Sequence, residues 1–148
     1  MVQHDFKVNF HWQGGRDETG KFKGDILQES FSIPASLGGM GQGTNPDELL
    51  VSAAGSCFTI SLAATLERAH CNIQELQITS IGTAEFNENR FTMKQILHDI
   101  QITVEDHATK DKLERRIKRL LEIADNHCMV SNSLRGNVRI ESRAKIII

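Results

Sequence analysis

Apolar and polar residues alternate at the start of the chain. Phe6, Val8 and Phe10 fall on one face and Lys7, Asn9 and His11 on the other, the two-residue period of a half-buried strand over residues 5–12. Gly14-Gly15-Arg16-Asp17 then marks a turn. A second extended region is expected from about Phe22 to Ile33, where Phe31 and Ile33 share a face, and Pro34 ends it. Glu75–Glu85 and Phe91–Val104 read as two long strands joined at Asn87-Glu88-Asn89. Leu76 and Ile78 share one face of the first; Ile100, Ile102 and Val104 share one face of the second. A final strand is expected over Asn137–Ile148.

The period becomes helical in two places. Asn45 suits an N-cap and Pro46 the first turn, with Asp47 and Glu48 behind them, so a helix is predicted to run to about Arg68. From Leu49 to Ala64 it has no charged residue, and apolar or small residues go almost all the way round. Such a helix is buried on most faces, in a large core or at a subunit interface. A second helix is predicted from about Thr109 to Asn126, with Leu113, Ile117, Leu120, Leu121 and Ala124 as its apolar stripe. Its basic residues Arg115, Arg116, Lys118 and Arg119 read as a solvated face. Ser131-Asn132-Ser133 reads as a turn. The order of strands, buried helix, strands, amphipathic helix and strand gives an α+β fold with antiparallel sheet. No repeat or linker interrupts it, so residues 1–148 are expected to form a single domain.

Composition narrows the function classes. With 39% apolar and 24% charged residues and a net charge of −2, the chain has neither the basic surface of a nucleic-acid binder nor a charged tail. No apolar run approaches the roughly 18 residues of a membrane span. The stretch Met1-Val2-Gln3-His4-Asp5-Phe6 lacks the pattern of a secretory signal, so the expected location is cytoplasmic. There, structural disulfides stay reduced. Cys57, Cys71 and Cys128 are odd in number and widely spaced, so their chemistry is expected to be catalytic or transient.

Other chemistries fit poorly. Gly39, Gly41 and Gly43 lie between a strand and a helix, but their spacing is not that of a dinucleotide fingerprint and no P-loop lysine follows. They read as a flexible lead that lets backbone approach backbone closely. His70-Cys71 and His127-Cys128 suggest zinc, yet no local C-x-x-C or H-x-x-x-H pair accompanies them. No metal or cofactor is expected. Cys57 by itself reads as a packed core thiol. A nucleophilic cysteine needs a cation or a positive helix end nearby, and mid-helix Cys57 gains little from the dipole. The local sequence does not reveal which cation serves it.

Three segments together resemble the OsmC/Ohr family of thiol peroxidases: Gly14-Gly15-Arg16-Asp17, the run from Gly41-Gln42-Gly43-Thr44-Asn45-Pro46-Asp47-Glu48-Leu49-Leu50 to Cys57-Phe58, and Cys128-Met129-Val130-Ser131-Asn132-Ser133-Leu134-Arg135-Gly136-Asn137-Val138. Their order and separations are similar to the family's along nearly the whole chain. The resemblance implies antiparallel sheets packed around two central helices in an intertwined homodimer. It implies reduction of organic hydroperoxides, with Cys57 as peroxidatic cysteine, Cys128 as resolving cysteine and Arg16 as the cation that stabilises the Cys57 thiolate. The family's glutamate after the helix-opening proline is Asp47 here, with Glu48 next to it. The implied reductant is a dithiol, a lipoylated protein in the Ohr branch. Phe58, Met40 and Leu50 are candidates for an apolar entrance as well as for ordinary packing, and Cys71, with no counterpart in these motifs, reads as structural. A catalytically inactive relative binding a thiol or apolar ligand is the alternative.

Helix geometry adds a constraint. Asp47 and Cys57 are ten positions apart, hence about 15 Å along one helix. If both serve one site, Asp47 must come from a second chain.

Overall fold

Turn chemistry divides the N-terminal third into short strands. The structure, a computed structural model, describes residues 1–148, which separate into two compact units, Met1–Leu50 and Val51–Ile148. In the first, β1 (Asn9–His11), β2 (Gly20–Lys23) and β3 (Gln28–Phe31) form an antiparallel meander. The extended region expected from Phe22 to Ile33 is thus two strands, because Gly24 and Leu27 close a turn through an N–H···O bond of 2.7 Å. The first strand is shorter than expected. It pairs only with β2, and Phe6 and Phe10 remain exposed in the isolated chain.

The glycine-rich segment behaves as a close-approach lead. A Cβ at Gly43 would lie 2.2 Å from the Ser30 carbonyl oxygen, and one at Gly39 would lie 2.1 Å from that of Ile33. The segment lies beside β3 through the Phe31–Thr44 bridge and leads into α1 (Pro46–Arg68). Asn45 Oδ1 accepts from the Glu48 N–H at 2.9 Å, satisfying one of the free donors of the first turn. The Thr44 hydroxyl donates to Glu48 Oε2 at 2.7 Å.

In the second unit β4 (Glu75–Asn87) and β5 (Arg90–Thr103) make a long hairpin. Its two-residue turn has Glu88 and Asn89 at φ 51° and 63°, the left-handed pair that matches strand twist. The predicted second helix is two: α2 (His107–Glu114) and α3 (Ile117–Asn126). They are separated at Arg116, whose guanidinium donates to the Ala69 carbonyl at 3.1 Å and also reaches Cys71 Sγ at 3.5 Å. That basic residue is therefore not merely solvated. The expected turn at Ser131–Ser133 is a short helix, α4 (Met129–Leu134). β6 (Arg139–Ile147) then pairs with β5 in parallel. The expected antiparallel pairing holds for the first sheet and for β4 with β5; β6 departs from it because three helices carry the chain back before it pairs, a connection long enough for parallel pairing.

One face of this sheet is covered. Ile96, His98, Ile100 and Ile102 of β5 are buried, the inward set of a two-residue period. Phe58, Leu62 and Leu66 of α1 join Ile100, Ile102, Leu113, Leu120, Leu121 and Ala124 in one core, each large α1 side chain contributing roughly 1.5–3 kcal/mol. Against the sequence expectation, α1 is long and apolar enough to cross a membrane, with a mean hydropathy of 1.8 over its most apolar window. Its packing is that of a core helix. Within one chain it buries only one face; Ser52, Ser56, Ile60 and Ala63 on the other are exposed and uncharged.

Gly55 lets α1 approach β4. A Cβ there would stand 2.6 Å from Ser80 Oγ, and that hydroxyl is held by a 2.7 Å hydrogen bond to His98 Nδ1. Gly55→Ala is therefore expected to cost about 1–3 kcal/mol, whereas Gly15→Ala, where nothing lies within 4 Å, should be close to neutral. Urea unfolding of both variants checks this, and equal stabilities would contradict the close-approach account.

Candidate active site

Two cysteines from different helices meet in the second unit. Cys57, on α1, is half-buried, and Cys128 is fully buried; both are free thiols. Cys128 is the N-cap of α4, its sulfur accepting from the Ser131 N–H at 3.4 Å. Burial pushes the Cys128 thiol above its ordinary range, and hydrogen bonding with the neighbouring Cys57 thiol pushes it further; Ser131 partly opposes this by favouring the charged form. The pair is chemically asymmetric. One cysteine is only half-buried, while the other is enclosed and held as a neutral thiol.

The polypeptide around Cys128 is strapped in place. The Ser61 hydroxyl of α1 donates to the Ala124 carbonyl of α3 at 2.6 Å. Arg135, at the end of α4, donates to Asp125 Oδ2 and to Asn132 Oδ1, each at 3.1 Å. Asn132 in turn donates to the Asn126 carbonyl at 3.0 Å. Asn132 and Arg135, read in the sequence only as parts of a motif, fix the turn that presents Cys128.

Sequence reasoning missed His98. Its ring stacks on Phe58, the neighbour of Cys57, with centroids 4.5 Å apart and planes at 11°, and it is fully buried. Nδ1 is bonded to Ser80, but Nε2 has no partner, and neither has Asp125 Oδ1 or the Ser131 hydroxyl. Burial lowers the His98 pKa, while the Asp125 charge acts in the opposite direction. A signal was present. The inward period that assigns Ile100, Ile102 and Val104 to one face also places Ile96 and His98 there, and a histidine on an apolar face needs an explanation.

The other expected site residues lie in the first unit. The Arg16 guanidinium is more than half exposed; it pairs with Asp17 at 2.7 Å and donates to the Leu37 and Gly38 carbonyls at 3.1 and 3.4 Å. It thus ties the first turn to the glycine-rich segment. Asp47 is exposed in the first turn of α1, while Glu48 is engaged by Thr44. Among the candidates for an apolar entrance, Phe58 is a core residue, whereas Met40 is exposed.

An α+β frame that sets a half-exposed helical thiol against a buried one defines a two-thiol class of protein. The sequence model described as OsmC-like protein matches residues 39–143. The chain is 35% identical over 146 residues to the uncharacterised protein YmaD of Bacillus subtilis, a match spanning 99% of this chain and 97% of that one. It is 26% identical to the organic hydroperoxide resistance protein-like 2 of Staphylococcus epidermidis, over 95% of this chain and 96% of that one. Among solved structures, an organic hydroperoxide resistance protein OsmC from Legionella pneumophila superposes with a TM-score of 0.78 at 20% identity, covering both chains completely. This chain belongs to the OsmC-like family.

The buried histidine makes stability depend on pH. Because burial holds its folded pKa below the ordinary histidine value of about 6.5, the unfolded chain takes up the proton first as pH falls. The His98 contribution is complete above that value and is lost as pH drops through the folded pKa, at no more than about 1.4 kcal/mol per pH unit. Urea midpoints compared from roughly pH 7 to pH 5 should fall more steeply for the wild type than for His98→Gln. Identical profiles would contradict this.

Proposed function

We propose that the chain is a thiol-dependent peroxidase that reduces organic hydroperoxides to alcohols. The observation carrying this reading is the asymmetric thiol pair: a half-buried Cys57 beside a buried, neutral Cys128. The likeness to relatives named for organic hydroperoxide resistance supports it. The Cys57 thiolate attacks the terminal peroxide oxygen, the O–O bond breaks, and the alkoxide leaves as the alcohol after taking a proton. Cys57 is then a sulfenic acid. The Cys128 sulfur displaces its oxygen, forming the Cys57–Cys128 disulfide and releasing water. A dithiol reductant, such as a lipoylated protein, resets both thiols by exchange.

Arg16 stabilises the Cys57 thiolate in this scheme, in keeping with the family motif and with Cys57's need for a cation from outside its own helix. The assembly is a cytoplasmic homodimer in which each chain acts as a single OsmC-like domain. Two features support it: the exposed, charge-free stripe of Ser52, Ser56, Ile60 and Ala63 on α1, and the helix length separating Asp47 from Cys57. Each site takes its two cysteines from one chain and Asp47 from the other. Glu48 already serves Thr44, which leaves Asp47 for the acidic role.

With cumene hydroperoxide and a dithiol reductant, Cys57→Ser should abolish turnover, and Cys128→Ser should consume one equivalent and then stall. Full multiple turnover in either variant would overturn the assignment. Arg16→Ala should slow both peroxide attack and Cys57 alkylation at neutral pH by about tenfold or more. An unchanged alkylation rate would transfer the role to another group. Co-expressed Cys57→Ser and Asp47→Ala chains, each inactive alone, should regain one working site per heterodimer; no recovery in an isolated heterodimer counts against sharing between chains.

A further inference from the structure

Ser131 is fully buried, yet its hydroxyl has no hydrogen-bond partner. A buried hydroxyl without a partner is unfavourable in a resting protein. Its own N–H donates to Cys128 Sγ at 3.4 Å, which sets the residue directly against that sulfur. A neutral thiol is a weak acceptor, whereas a thiolate is a strong one. The donor is therefore spare while Cys128 is protonated and finds use as the sulfur gains negative charge.

We propose that Ser131 is a positioning residue for the resolving step, its hydroxyl donating to Cys128 Sγ as that sulfur attacks the Cys57 sulfenic acid. This rests on the peroxidase reading above. In the step, the Cys128–Cys57 S–S bond forms, the S–O bond of the sulfenic acid breaks, and the Cys128 proton leaves with the hydroxyl group as water. The Ser131 hydroxyl gives a hydrogen bond and keeps its proton, and no further oxidant or reductant enters. The sequence offers the placement: Ser131 follows Cys128 by three residues, the spacing at which an N-capping side chain meets a backbone N–H. Here the same residue carries a second donor, its buried hydroxyl.

The test is a single turnover of the reduced full-length protein with one equivalent of cumene hydroperoxide. Peroxide loss reports the first step, disulfide formation the second, and dimedone trapping the sulfenic acid between them. Ser131→Ala should consume peroxide at the wild-type rate, form the disulfide about ten- to a hundredfold more slowly and accumulate the dimedone adduct. Its unfolding midpoint should be no lower than that of the wild type, because no resting hydrogen bond is lost. Ser131→Thr, which keeps the hydroxyl, should recover much of the second step. Disulfide formation at the wild-type rate in Ser131→Ala overturns the proposal, as does an equal slowing of both steps. Failure of the wild type itself to consume peroxide overturns the peroxidase reading, and this proposal with it.

Discussion

The Ser61 hydroxyl donates to the Ala124 carbonyl at 2.6 Å inside the core, tying α1 to the last turn of α3. Cys128 follows Ala124 by four residues, so the register of α1 against α3 decides whether the two sulfurs meet. Above Ser61, α1 is pressed onto the sheet at Gly55, where only a missing side chain leaves room for Ser80. Below it, Leu62 and Leu66 lie among Leu113, Leu120 and Leu121. Packing density makes such an arrangement stiff, since a shift of one residue would collide rather than slide. The thiol pair is held by the whole core of the second unit rather than by a loop.

That stiffness gives the two cysteines different chemistry without any difference in residue type. Cys57 is half-buried at the margin of the core; Cys128, the N-cap of α4, is fully buried. The enclosed sulfur is disfavoured as an anion and stays a thiol. The same enclosure leaves His98 Nε2, Asp125 Oδ1 and the Ser131 hydroxyl without partners. Unsatisfied polar atoms are uncommon in native cores, and three of them in the unit that holds the thiols set this region apart from an ordinary hydrophobic interior.

Much of the framework was legible because it rests on local chemistry. Asn45-Pro46 announced the start of α1, and the two-residue period of β5 announced its buried face. What the sequence did not show was long-range. Nothing local to Arg139–Ile147 distinguishes parallel from antiparallel pairing, and the break between α2 and α3 comes where Arg116 turns to the Ala69 carbonyl, 47 residues away. The N-terminal strand looked half-buried by pattern but covers little within one chain. As for the site, residue pattern alone left Cys57 a core thiol; family likeness supplied the pairing with Cys128, and the fold places the two together. His98 was readable from periodicity, while the orphaned hydroxyl of Ser131 is set by long-range packing alone.

The most direct measurement of the central claim is peptide mapping by mass spectrometry after the reduced protein meets one equivalent of an organic hydroperoxide. The account predicts a Cys57–Cys128 linkage within a chain, with Cys71 remaining a free thiol. Recovery of Cys128 as a free thiol beside an overoxidised Cys57, or a linkage through Cys71, would contradict it.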